Sequence, residues 1–199
     1  MKKTFEFYKK RIIRAILFAL IISVMAIIFV LSAQDGRDSG GTSGGLTELL
    51  LAIVGIDAGS LTEAEFTKTE AFVRTAAHFS EYALLAFLAV FLLATYKIKR
   101  IFSLLFAVAF SSLYAVTDEI HQIFVPGRAA EISDWLVDTC GALTGAALAV
   151  LVLVIVKRIA QKRKSRRKRK NGKIAKNLLK KFGFFIAYIN PCKQIIASI

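Results

Sequence analysis

The placement of charge around four apolar stretches constrains this chain more than any other feature. Residues 12–33, 79–96, 101–117 and 135–156 are each apolar and long enough to cross a bilayer core, which takes roughly 20 helical residues at about 1.5 Å each. In hydrocarbon every backbone N–H and C=O must be satisfied within the protein, so continuous apolar runs of this length cross as helices. The expected fold class is all-α: a polytopic membrane protein formed by a four-transmembrane-helix bundle, with short outer helices and a basic cytoplasmic tail.

The chain carries 28 Lys+Arg against 14 Asp+Glu, a net charge of +14, and the excess is unevenly placed. Fifteen of the basic residues follow Val156, and no acid follows Asp138. The start of the chain, the turn at 97–100 and the tail from Lys157 hold the basic clusters, with Glu6 the one acid among them. The two other connections and their adjoining helix ends hold the remaining acids and both histidines, with only Arg37, Lys68, Arg74 and Arg128 beside them. Short loops rich in Lys and Arg stay in the cytoplasm. The expected localisation is the cell membrane, multi-pass, with both termini cytoplasmic and the acidic connections outside.

Two regions follow from the same pattern: residues 1–156 as the membrane domain, and 157–199 as a basic, partly disordered or membrane-surface cytoplasmic tail. Residues 162–170 are almost all basic, so like charges repel and nothing apolar is available to bury. Beside anionic headgroups such a tail has a partner already, so membrane lipid is expected and nucleic acid is not. The first span is longer than a signal-peptide core and lacks a convincing small-x-small cleavage site, so it is expected to be retained. Cys140 and Cys192 fall on opposite sides of this topology and are not expected to pair.

Local signals place the connections. Residues 35–45 are rich in Gly, Ser and Thr and read as a flexible loop, and 46–56 as a short interfacial or re-entrant helix. Ser60 and Glu63 have capping-box spacing for the helix leading into the second span. Pro126-Gly127 predicts a turn between the third and fourth spans, with Ser133 as the N-cap that follows. Gly141 and Gly145, with Ala142 and Ala146 alongside, form a small-residue face suited to close helix packing.

Polar residues gather at helical spacing on the acidic side. Arg74, His78 and Glu81 follow i, i+4, i+7, with Tyr82 beside them. Asp118, Glu119, His121 and Gln122 end the third span, Asp134 and Asp138 begin the fourth, and Gln34 follows the first. Such residues are costly in lipid and should face one another or a wet cavity. Three readings are open: a polar cap of paired helix ends, a ligand or lipid-headgroup site, and a catalytic site. In the catalytic reading, His78, Glu81, Asp118, Glu119 and His121 are the acid–base candidates, with His78 or His121 as general base oriented by Glu81 or Asp118. Arg74 or Arg128 would hold an anionic headgroup. Gln34, Arg74, Tyr82, Gln122, Arg128, Asp134 and Asp138 are the ligand-binding candidates. His78-x-x-Glu81 and Asp118-x-x-His121 do not complete a metal motif, so no metal and no cofactor are expected. No nucleophile motif or Gly-rich phosphate loop is evident, and no inverted repeat suggests a transporter.

The string Arg74-x-x-x-His78-Phe79-x-Glu81-Tyr82, then Asp118-Glu119-x-His121-Gln122-x-Phe124-Val125-Pro126-Gly127-Arg128, then Asp134-x-x-x-Asp138-x-x-Gly141, resembles the VanZ-like family. Ser32-Ala33-Gln34 matches that family's Ser-x-Gln element. Thr75 and Asp138 depart from it, since the family usually has Lys at the first position and often Asn at the second. The resemblance implies a four-span membrane protein at the cell envelope and lowered susceptibility to the glycopeptide teicoplanin. It implies as partners a lipid-linked cell-wall precursor or the glycopeptide. Two functions are carried forward: a factor that binds a surface or lipid-linked component, and a membrane enzyme acting on a lipid-linked envelope substrate.

Overall fold

The computed structural model of the chain describes residues 2–33, 36–126 and 130–196. It is helical, with no strand among the described residues. The elements in order are α1 (Lys2–Ser32), α2 (Gly36–Val54), a 3-10 turn (Ala58–Ser60), α3 (Glu63–Thr95), α4 (Arg100–Gln122) and α5 (Ile132–Ile196). The helical segments Phe7–Ser32, Glu63–Thr95, Arg100–Gln122 and Ile132–Lys180 each contain an apolar window long enough to cross a membrane. At most 28% of the most apolar window of each is fully buried inside the protein, so most of its apolar side chains are at least partly exposed, which suits lipid as solvent. The expected four-span all-α architecture is the one observed.

Residues 1–151 form one compact unit. Within it α1 packs on α3 and α4, and α3 packs on α2 and α4. At the basic end, Arg14 joins α1 to the last turn of α3. Its Nε and one terminal nitrogen donate to Thr95 Oγ1 and O, both at 3.0 Å, and its guanidinium lies 3.8 Å from the Tyr96 ring centroid. At the acidic end, α1 meets α4 through Ser32 and Asp118.

Helix α4 buries a stripe of small and polar residues, Ser103, Ala107, Ser111, Ala115, Asp118 and Gln122, at helical spacing. Helix α5 buries Asp138, Gly141, Ala142, Gly145, Ala146 and Ala149. A Cβ on Gly141 would overlap the Phe79 carbonyl oxygen, and one on Gly145 would overlap that of Ala83. The two glycines therefore bring the α5 and α3 backbones together, as the small-residue face predicts.

Three local expectations change. Residues 36–45 are not a loop: α2 starts at Gly36. Ser43, Thr47 and Leu51 are buried one turn apart, and Ser43 Oγ donates to Glu70 of α3. That buried face overrides the poor helix propensity of the Gly/Ser run. The helix closes at Gly55, whose φ of 84° is left-handed; its N–H bonds Ala52 O and that of Ile56 bonds Leu51 O. The capping box of α3 uses Thr62 and Glu65 rather than Ser60 and Glu63: Thr62 caps the Glu65 N–H, and Glu65 accepts from the Thr62 N–H at 2.9 Å. Ser60 instead donates to Asp57 O and closes the 3-10 turn. Ser133 does not cap α5, which begins one residue earlier at Ile132; its hydroxyl donates to Glu131 Oε2.

Residues 152–199 form a second unit. Residues 152–196 are helical, and the side chains from Ile155 to Ile174 are exposed.

Candidate functional site

The acidic end gathers side chains from four helices. Asp118, on the last turns of α4, is 2% exposed. Its Oδ2 accepts from Ser32 Oγ at 2.8 Å and from Gln122 Nε2 at 3.3 Å. Its Oδ1 has no hydrogen-bond partner among the described residues. The buried stripe of α4 turns Asp118 and Gln122 inward, and the last turn of α1 brings Ser32 to meet them.

Asp138 of α5 is 1% exposed, and neither carboxylate oxygen has a hydrogen-bond partner among the described residues. Its Oδ1 lies 3.8 Å from Nδ1 of His78 on α3, close enough for attraction and too long for a hydrogen bond. The glycine contacts set this meeting. Gly141 packs on Phe79, the neighbour of His78, and Asp138 precedes Gly141 by one turn.

Tyr82, one turn beyond His78, is fully buried, with no partner for its hydroxyl among the described residues. Its ring lies 6.3 Å from that of Tyr114, whose hydroxyl donates to Met25 O at 2.7 Å. His121 stacks on Phe29 of α1 at 4.5 Å. Glu81 is half-buried and interacts electrostatically with Asp118, which also feels His78 and His121.

Glu119 faces another task. Its Oε2 accepts from the Glu131 N–H at 2.9 Å, just ahead of α5, so it helps position the start of that helix. Asp134, half-buried in the first turn of α5, interacts electrostatically with both Glu119 and Asp138. Trp135 Nε1 donates to Ser112 O and lies 3.2 Å from Ser112 Oγ, which is 2.9 Å from Thr139 Oγ1. A crevice of about 250 Å³ opens beside this junction, lined mainly by Val116, Ile120, Ile123, Ile132 and Trp135, with Glu119 and Glu131 its acidic members.

Of the sequence candidates, His78, Glu81, Tyr82, Asp118, His121, Gln122 and Asp138 converge. Arg74 is exposed, one turn from His78. Gln34 and Arg128 lie outside the described residues, as does Gly127 of the expected turn. Among the described residues, no group of three or more His, Cys, Asp or Glu side chains is arranged to hold a metal ion. Three contributors escaped the sequence reading. Ser32 stood out only as part of a family element. Tyr114 could have been found four residues before Asp118, on the same α4 face. Phe29 had no signal, because one Phe among many in an apolar helix is indistinguishable from a lipid-facing one.

No curated protein and no solved structure matches this chain. The family model described as VanZ/LLP1 matches residues 17–157, a stretch that contains every candidate site residue named above. By that match the chain belongs to the VanZ/LLP1 family.

Proposed function

We propose that the polar cluster is a binding site at the outer face of the cell membrane for a surface or lipid-linked component of the envelope. Occupancy there lowers susceptibility to the glycopeptide teicoplanin. In this reading both termini are cytoplasmic, and the cluster lies at the outer ends of the spans.

The observation that carries the reading is the surplus of buried acceptors. Both oxygens of Asp138 and Oδ1 of Asp118 lack hydrogen-bond partners among the described residues. A buried carboxylate is costly when unpaired, by several kcal/mol in order of magnitude, and a self-sufficient polar cap would pair it. A ligand bringing hydroxyl or ammonium donors completes the set. The crevice beside Glu119 and Trp135 suits the apolar part of a lipid-linked molecule.

The test is teicoplanin susceptibility in a host where the parent protein raises resistance. His121→Ala, Glu81→Ala and the double variant are compared at matched membrane levels. Each single change should abolish the effect, with the double no worse than either. Wild-type resistance from well-expressed single variants would leave the cluster a structural cap.

A second reading rests on His78 and Asp138. An imidazole beside a buried carboxylate is the arrangement of an oriented general base, so the site would act on a lipid-linked substrate at the outer leaflet. Mass spectrometry of lipid-linked envelope species, with the parent and with His78→Gln, separates the readings. Only an enzyme produces a new species that the variant lacks.

A further inference from the structure

The opposite, basic end of the membrane unit carries a second feature, independent of the polar cluster. A groove of about 530 Å³ lies between α1, α3 and α4. It is lined only by apolar side chains, among them Phe18, Ile21, Leu92, Ile98, Phe106 and Phe110. That volume is within the range of ligand sites, roughly 300–1,000 Å³.

The turn that edges the groove is rich in cations. Ile98 belongs to the α3–α4 turn and lines the groove, and its neighbours are Lys97 and Lys99, followed by Arg100. Lys97 and Lys99 are exposed. Lys97 holds a left-handed φ of 63°, a conformation that strains a non-glycine residue. Arg14, bound to Thr95 and stacked on Tyr96, braces the same turn from α1. Among the described residues no carboxylate pairs with these cations: α3 has no acid after Glu81, and α4 has none before Asp118. An apolar slot next to a cationic turn suits a molecule with an apolar tail and an anionic phosphate head.

We propose that this groove is a specific site for an anionic phospholipid of the adjoining leaflet. One acyl chain lies along Phe18, Leu92 and Phe110, and the phosphate is held by Lys97, Lys99 and Arg100. The strained turn at Lys97 keeps these cations at the mouth of the groove.

The full-length protein is tested in vesicles of brominated phosphatidylglycerol or brominated phosphatidylcholine. The Trp135→Phe/Phe110→Trp variant places a single tryptophan in the groove, and Trp135→Phe/Leu105→Trp places one on the neighbouring exposed face of α4. Quenching at Phe110→Trp should show an association about fivefold or more stronger for phosphatidylglycerol than for phosphatidylcholine, as expected for several cations near one phosphate. Leu105→Trp should show little preference. Adding Lys97→Gln, Lys99→Gln and Arg100→Gln should reduce the preference in the groove to about that of Leu105→Trp. Equal preference at the two tryptophans, or a preference that survives the triple change, overturns the site. Native mass spectrometry of the unaltered chain, which avoids any effect of Trp135→Phe on folding, gives an independent measure. Retained phosphatidylglycerol should be displaced in the triple variant, and retention equal to that of phosphatidylcholine counts against the proposal.

Discussion

His78 Nδ1 and Asp138 Oδ1 face each other at 3.8 Å across the contact where Gly141 meets the Phe79 carbonyl. This close polar approach and the tight helix packing are one structural unit. Moving α5 away from α3 would separate both.

Gly145→Ala should therefore destabilise the protein. The added methyl would meet the Ala83 backbone carbonyl, which cannot yield as a flexible side chain can. Overpacking of this kind typically costs about 1–3 kcal/mol. Gly45→Ala is the control, because nothing lies within 4 Å of that position and Ala favours a helix. Thermal unfolding in detergent should show a lower midpoint for Gly145→Ala and an unchanged or higher one for Gly45→Ala.

Ser32→Ala should cost about 1–3 kcal/mol by removing the short bond to a buried carboxylate. Gln122 would then be the only donor left on Asp118 Oδ2 among the described residues. A double-mutant cycle of Ser32→Ala and Asp118→Ala, read by denaturant unfolding in mixed micelles, should give a coupling of about 1 kcal/mol or more. Simple additivity would mean that the contact contributes no stability.

The proposed orientation, with both termini inside, predicts the outcome of cysteine labelling. Cys140 is exposed and free, so the background needs Cys140→Ser and Cys192→Ser. Gly59→Cys sits on the exposed 3-10 turn, and Ser165→Cys on the exposed part of α5. An impermeant thiol reagent applied to intact cells should label Gly59→Cys and spare Ser165→Cys. The reverse pattern inverts the topology.

Deleting residues 162–199 should leave membrane insertion and any resistance effect intact. The compact membrane unit ends at Leu151, the family match ends at residue 157, and Lys157 and Arg158 remain as basic anchors. Loss of folded protein from the membrane fraction would assign the tail a structural role.

The number of spans and the two differently charged ends were legible in the sequence. Hydropathy and charge act residue by residue, and a helix satisfies its own backbone wherever it lies. Helical spacing also placed His78 with Tyr82, and Asp118 with Gln122, because neighbours on one helix face are a local property. Local signals failed where packing outweighed them. The Gly/Ser run of α2 reads as a loop, yet it is helical because Ser43, Thr47 and Leu51 bury one face.

The partners within the site were decided by the tertiary structure. Glu81 and Asp118 were the expected orienting carboxylates; Asp118 does interact electrostatically with His78, and the structure adds Asp138 at 3.8 Å, on a helix that the glycines bring close. Asp118 is bonded by Ser32, 86 residues away, and Glu119 turns from the cluster to the start of α5. Which side chains of separate helices meet depends on how those helices cross and on their register. Those are set by the summed packing of many contacts, which no local spacing records.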